Sequence, residues 1–270
     1  MIRLRLGSER RRGVYSDRDR NRGLVRPLTI IRHASGIMPT EFPWWTHVAG
    51  LLEPEEAPVS SQAVENEADF LSAPEFRLDS RGLRWIDPLK GVSLRLSTEP
   101  ITRRGERTSH LCRAVGIGSG VRRKTVLDAF AGFGTDGLAL AQHCEVTLVE
   151  ANPVVFVLLA EISCRSGHDV ELLHADCWPL LEQNSMRWDV IYLDPMFPRR
   201  NKRALPNKAM QQLKEMTQEM KEANIEQLLA VAQQASRERV VLKRRLRDPV
   251  MGRPNHSLKG RSVRFDVYLS

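Results

Sequence analysis

The 270-residue sequence lacks any uninterrupted apolar run approaching the ~20 residues that span a bilayer, which excludes a helical membrane protein and any membrane partner. Its four cysteines, Cys112, Cys144, Cys164 and Cys177, form no C-x-x-C pair, so neither a zinc knuckle nor a disulfide scaffold is indicated. Reduced thiols in a cytoplasmic protein are expected instead. His143 and Cys144 are adjacent but have no second pair of ligands nearby, and no metal is expected. The Arg-rich start has no apolar h-region and is interrupted by Glu9, Asp17 and Asp19, which argues against a targeting segment.

Charge is unevenly spread. Residues 1–36 hold ten Arg, no Lys and three acids, a net +7, and have few apolar residues to offset the entropy of ordering. A mobile basic arm is expected there. From Ile37 to Phe76 there is no Lys or Arg but there are eight acids, and residues 37–74 read as an acidic, linker-like segment. The remainder is +9, which suits a polyanionic partner.

Residues 75–120 read as a small β-rich subdomain with a lead-in helix. Phe76-Arg77-Leu78 and Val92 to Leu96 alternate around Gly82 and the Asp87-Pro88 turn, as short antiparallel strands do. His110 to Ile117 allows a helix ended by Gly116 or Gly118. Across residues 121–270 the pattern changes to strand alternating with helix. Apolar, β-branched runs at Thr125–Leu127, Val146–Val149, Val170–Leu173, Val190–Leu193 and Val240–Leu242 are as short as buried parallel strands. Helices are expected at Asp136–His143, Pro153–Cys164, Lys208–Ala223 and Ile225–Ser236, with Asn152 capping the second. The expected fold class is α/β, a doubly wound, mostly parallel sheet, with Val263–Leu269 as a strand at its edge.

The first of these strands ends in Asp128-Ala-Phe-Ala-Gly132-Phe-Gly134-Thr135-Asp136, a turn in which the glycines permit close approach of a ligand to the backbone. On its own this turn is equally a plain βα connection. The next strand ends at Glu150, about twenty residues on, where a carboxylate can accept ribose hydroxyls. An acid at Asp136 would repel a pyrophosphate but suits the sulfonium and ammonium of S-adenosylmethionine. The third strand ends at Asp176, either a helix cap or an acceptor for an adenine amine. The fourth runs into Asp194-Pro195-Met196-Phe197-Pro198, either a rigid capped turn or a chemical loop. In the chemical reading, Asp194 and the Pro195 carbonyl accept the N–H groups of an exocyclic amine while Phe197 stacks on its base. Arg199, Arg200, Lys202, Arg203 and Lys208 follow this loop, and Lys243, Arg244 and Arg245 follow the fifth strand. Either run alone could be a solvated face, but together at the crevice side they favour nucleic acid, with these eight residues as the phosphate-binding set.

Asp128-Ala-Phe-Ala-Gly-Phe-Gly-Thr-Asp, Glu150-Ala-Asn-Pro-Val-Val, Leu173-His-Ala-Asp, Tyr192-Leu-Asp-Pro-Met-Phe-Pro and Lys259-Gly-Arg-Ser-Val-Arg-Phe-Asp-Val-Tyr268 resemble the RsmJ family. The likeness runs from about Ala68 to the C-terminus. It implies a Rossmann-like class I methyltransferase fold with a small β-rich N-terminal part, S-adenosylmethionine as cofactor, and methylation of the N2 amine of a guanosine in 16S ribosomal RNA. The implied partner is ribosomal RNA or the small ribosomal subunit. Cofactor contacts would fall on Asp128, Gly132, Gly134, Thr135, Asp136, Glu150, Ala151, Asp176, Cys177 and Asp194, with Asp194, Pro195 and Phe197 as the catalytic set. Thr135 stands where the family usually has Arg, and Asp176-Cys177 where it has small hydroxyl residues. The competing readings are an amino-methyltransferase acting on another RNA or on DNA adenine, and a non-catalytic RNA-binding protein with a silent pocket.

Overall fold

The computed structural model describes residues 2–6, 31–33, 75–79, 82–87, 91–97, 106–118, 122–195 and 222–270. The chain divides into two compact units, one of Met1–Gly13 with Thr98–Ser270 and one of Val14–Ser97. Among the described residues no helix is long and apolar enough to cross a membrane.

Strand β1 (Ile2–Leu6) belongs to the larger unit. The smaller unit is a four-stranded sheet in the order β2 (Ile31–His33), β3 (Glu75–Asp79), β4 (Gly82–Asp87) and β5 (Val92–Arg95). Leu83, Trp85, Val92 and Leu94 are buried, two residues apart on each strand, as a sheet with one covered face requires. Two parts of the expected basic arm, Ile2–Leu6 and Ile31–His33, are strands in this structure. The alternation Ile2-Arg3-Leu4-Arg5-Leu6 supplies a period-two pattern, and β1 pairs antiparallel with an otherwise open sheet edge. The expected lead-in helix is α1 (Glu106–Val115), ended at Gly116 with φ of +82°, and it groups with the larger unit rather than with the small sheet.

In the larger unit, β6 (Thr125–Asp128), α2 (Thr135–Leu140), β7 (Glu145–Glu150), α3 (Pro153–Ser166), β8 (Val170–His174), α4 (Cys177–Glu182) and β9 (Trp188–Leu193) follow in turn. They are succeeded by α5 (Glu222–Ala235), β10 (Ser236–Arg245), β11 (His256–Lys259) and β12 (Val263–Leu269). The sheet order is β1-β8-β7-β6-β9-β10-β12-β11. Strands β6 to β10 are mutually parallel, whereas β12 runs antiparallel between β10 and β11. This is the doubly wound, mostly parallel sheet expected. Val263–Leu269 is not its edge, however, because β11 pairs outside it. The four residues of β11 are too few and too polar to have declared themselves as a strand.

The local reasons are visible in α3. Asn152 Oδ1 accepts from Val154 N and Val155 N at 3.0 and 3.1 Å, Pro153 occupies the first turn, and Gly167 closes the helix at φ of +71°. Val155 to Ile162 is buried throughout, so the helix is apolar on nearly every side and sits deep against the sheet. The expected helix Lys208–Ala223 lies almost wholly outside the described residues.

At the amino ends of the strands, Asp189 of β9 is fully buried and accepts from Arg122 Nη1 and Nη2 at 2.8 and 2.7 Å, and from Thr125 N and Oγ1 at 2.8 and 3.0 Å. The Arg122 hydrogen bonds hold its carboxyl well below the ordinary carboxylate range, against the opposing effect of burial. Asp189→Ala leaves these donors unsatisfied and is expected to cost about 2–4 kcal/mol. Because the folded-state value is depressed, the contribution is fully present above about pH 4 and fades only below it. Urea denaturation at pH 5 and pH 8 should therefore show the same deficit.

Candidate active site

The parallel register carries one polar side chain from the end of each strand to a common rim. Asp128 is level with Leu148 and with Tyr192, Glu150 with His174, and Leu193 with Leu242. One step further, Asp194 and Lys243 emerge side by side. Carboxyl ends of parallel strands are where open α/β sheets bind ligands.

The turn after β6 is held by its own geometry. Gly132 and Gly134 have φ of +54° and +73°, and a Cβ on Gly134 would stand 2.6 Å from Leu159 Cδ1. Glu150 Oε2 accepts from Gly132 N at 3.0 Å and Oε1 from Asn152 N at 2.7 Å. Glu150 thus braces the loop as well as standing at the expected ribose position, and an ionised carboxylate retains further lone pairs for hydroxyls. Burial raises its pKa, and the backbone donors of Asn152, Gly132 and Ala151 oppose that rise.

The other expected cofactor positions cluster nearby. Thr135 opens α2 and is partly exposed, and Asp136 in its first turn is buried. Ala151 is exposed, and its carbonyl accepts from the His174 ring at 3.1 Å. Asp176 is exposed and Oδ1 caps α4 through Trp178 N at 2.9 Å, so the capping role holds there. Cys177 turns its side chain into the core, where burial pushes its thiol well above the ordinary range.

The centre of the rim is a charge cluster. Lys243 Nζ lies 2.5 Å from Asp136 Oδ2 and also contacts Asp194 Oδ2, and the Tyr192 hydroxyl donates to Asp136 Oδ2 at 2.9 Å. Asp128 is 2% exposed, and its Oδ1 has no hydrogen-bond partner among the described residues. Burial, then the charges of Asp136 and Asp194, push its carboxyl well above the ordinary range, against the pull of Lys243 and the Phe130 backbone donor. Three carboxyls around one ammonium leave an acidic pocket, and a buried oxygen without a partner suits a donor-bearing cation. S-adenosylmethionine fits this donor set; a pyrophosphate does not.

The expected phosphate-binding residues fare differently. Lys243 and Arg244 are 7% and 1% exposed, one paired with carboxylates and the other with its guanidinium against Met251 Sδ at 3.3 Å. Neither presents itself to RNA. The physical reason is that β10 continues through Arg245, so these residues are interior strand positions on its two faces rather than a solvated tail. Arg245 is partly exposed. Met196, Phe197, Arg199, Arg200, Lys202, Arg203 and Lys208 lie outside the described residues, whereas Asp194 and Pro195 are at the rim.

Two contributors were not anticipated. Tyr192 sits in a wholly buried strand, and a phenol there needs a partner for its hydroxyl, a signal available in the sequence. Gly137 has its absent Cβ directed at Leu148 and at Asp128 Oδ2, so glycine here lets α2 lie against the acid cluster.

A carboxyl whose folded-state pKa is raised by burial carries a stability cost that sets in above the unfolded-state value of about 4 and grows until the pH reaches the raised folded value. Asp128→Asn is expected to raise the melting temperature at pH 8, with the advantage narrowing toward about pH 4, where the acid is protonated in both states. Calorimetric scans of both proteins across that range check this.

The family model of SAM-dependent methyltransferases matches residues 95–270. A ribosomal RNA small subunit methyltransferase J from Thioalkalivibrio sulfidiphilus is 41% identical over 180 residues, covering 61% of this chain and 69% of that protein. Its namesake from Magnetococcus marinus is 40% identical over 192 residues, covering 67% and 74%. Among solved structures, a SAM-dependent methyltransferase from Neisseria gonorrhoeae shares the fold, at 23% identity and a TM-score of 0.53 over 77% of this chain and 85% of that one. The family model spans well over half of the chain and both relatives are matched over more than two thirds of their length, so the chain belongs to the ribosomal RNA small subunit methyltransferase J family of S-adenosylmethionine-dependent methyltransferases.

Proposed function

We propose that this chain transfers a methyl group from S-adenosylmethionine to the N2 exocyclic amine of a guanosine in 16S ribosomal RNA, with the small ribosomal subunit or its RNA as partner. The observation that carries this reading is the position of the Asp194-Pro195 corner, one step past the last paired residue of β9 and beside the acid cluster. The Asp194 side chain is 33% exposed, whereas Asp128 and Asp136 are each below a tenth, so Asp194 is the acid an incoming base can reach.

The bound cofactor supplies a methyl group already activated on a cationic sulfur. Asp194 and the Pro195 carbonyl would accept the two N–H bonds of the amine, turning its lone pair out of conjugation with the ring and toward the methyl carbon. The cofactor would supply the methyl carbon and keep the bonding electron pair on its sulfur, and the Asp194 carboxylate would take the proton that the methylated amine gives up. Phe197 would hold the base by stacking.

Asp194→Ala is expected to lower kcat by roughly a hundredfold or more while leaving the circular dichroism spectrum unchanged. Transfer of labelled methyl groups to 30S subunits, with duplex DNA as the competing substrate, is the measurement. Label on adenine of the DNA, or wild-type turnover by the variant, would overturn the assignment.

The RNA-facing surface would also include Lys259 and Arg261. Leu246 N donates to Ser262 O at 3.1 Å, which ties the β11–β12 turn to the carboxyl end of β10. Lys259, Arg261 and Arg247 are exposed there. With Arg245 and the Arg199–Lys208 run they would follow the phosphates of the bound strand. The double variant Lys259→Glu, Arg261→Glu should weaken RNA binding, and the slope of log K against log salt should shrink by about 1–2. Filter binding at several salt concentrations checks the slope, with kcat at saturating RNA expected to stay near wild type.

A further inference from the structure

We propose that Arg264 is a positioning residue for RNA binding: its guanidinium gathers the backbone carbonyls of the loop after β10 and so holds the exposed Arg247 where a phosphate can meet it. This inference deepens the reading above and rests on it. Arg264 is almost fully buried, and Asp266, two residues on and on the same face of β12, is wholly so. Arg264 Nε donates to Asp266 Oδ1 and Oδ2 at 2.9 and 3.0 Å, and the Ser257 hydroxyl of β11 donates to the same Oδ1 at 2.6 Å. The ion pair orients the planar guanidinium and leaves both of its terminal nitrogens for other acceptors.

Those nitrogens reach the loop. Nη1 lies 3.4, 3.2 and 2.6 Å from the carbonyl oxygens of Arg245, Leu246 and Asp248, and Nη2 donates to the Pro249 carbonyl at 2.9 Å. Four carbonyls from a run of five residues converge on one group only if the chain curls round it, and the Asp248 N–H, donating to the Arg245 carbonyl at 3.1 Å, closes that curl. Arg247 is the residue of the run whose carbonyl Arg264 does not take, and it is exposed. The Leu246 N–H donates to the carbonyl of Ser262, two residues before Arg264, so the loop is also fixed relative to the β11–β12 turn and its exposed Lys259. Both basic side chains stand beyond the carboxyl end of β10, the side of the sheet on which Asp194 meets Lys243. In register Arg264 is level with Arg244, itself 1% exposed and also donating to the Pro249 carbonyl at 3.4 Å. Two guanidiniums facing each other inside a sheet are costly to bury, and an apolar pair would pack there more cheaply. What the arginines add is a loop whose shape is set before RNA arrives, which lowers the ordering cost of binding.

The experiment is a double-mutant cycle of Arg264→Lys and Arg247→Gln, read as binding of small-subunit ribosomal RNA at several salt concentrations and as kcat and KM for methyl transfer to 30S subunits. Lys keeps the charge beside Asp266, but a single ammonium cannot span the four carbonyls. Each single variant is expected to weaken RNA binding about fivefold or more and to shrink the salt slope by about 1, with the loss in the KM for RNA rather than in kcat or the KM for cofactor. Adding Arg247→Gln to Arg264→Lys should then cost no more than about a further twofold, because the displaced loop has already lost that contact. Losses that multiply in the double variant, wild-type RNA binding by either single variant, or an Arg264→Lys protein altered only in melting temperature would overturn the proposal. If Arg264→Lys does not fold by circular dichroism, hydrogen exchange of the Leu246 and Asp248 amides in the wild-type protein decides. Protection already present without RNA supports the assignment, and protection gained only on adding RNA overturns it. Absence of ribosomal RNA methylation by the wild-type protein would instead defeat the functional reading on which this one stands.

Discussion

One ammonium between two carboxylates sets the terms for the whole cleft. Lys243 brings Asp136, in the first turn of α2, and Asp194, just past the end of β9, into a single electrostatic unit. Without a cation at that point, carboxyls converging on the end of a parallel sheet would repel one another in a medium that screens them poorly. With it, the two acids can lie side by side and the rim stays acidic, a charge that suits a sulfonium. The ammonium is itself buried, so its presence is tolerable only because both acids are there.

The glycine turn depends on the same rim. Glu150 receives backbone donors from Gly132 and Asn152, which joins the loop after β6 to the loop after β7. Gly137 lets α2 descend onto Asp128, and this brings Asp136 within reach of Tyr192 and Lys243. A tight βα turn, a bracing acid and a helix lying close to its strand are thus parts of one arrangement. In it, backbone conformation decides where charge can be placed.

Most of the sheet was legible because buried parallel strands are short apolar runs and the helices between them carry clear caps. Asn152, Pro153 and Gly167 delimit α3 as their residue types predict. The two short strands within the first 36 residues, β1 and β2, were harder. Ile2 to Leu6 does alternate, yet it lies in a stretch whose ten arginines dominate any compositional reading. The polar β11 has no periodicity to show, and its existence follows only from the free edge that β12 offers it. Val263–Leu269 was identified as a strand, but which neighbours it would take depends on how the chain returns to the sheet.

The sequence by itself determined the chemistry on offer: glycines where a turn must tighten, acids at the ends of successive strands, and an Asp-Pro corner after the fourth. It did so because these features are local, each readable within a dozen residues. Only the tertiary structure decided the partners. Lys243 and Arg244 stand next to each other in a basic run that looks like a solvated face, and the pleat of β10 sends them to opposite sides of a covered sheet. One of them meets Asp136, 107 positions away, and Asp194, 49 positions away. Separations of that length are closed by strand pairing and register, which no local pattern of residues contains.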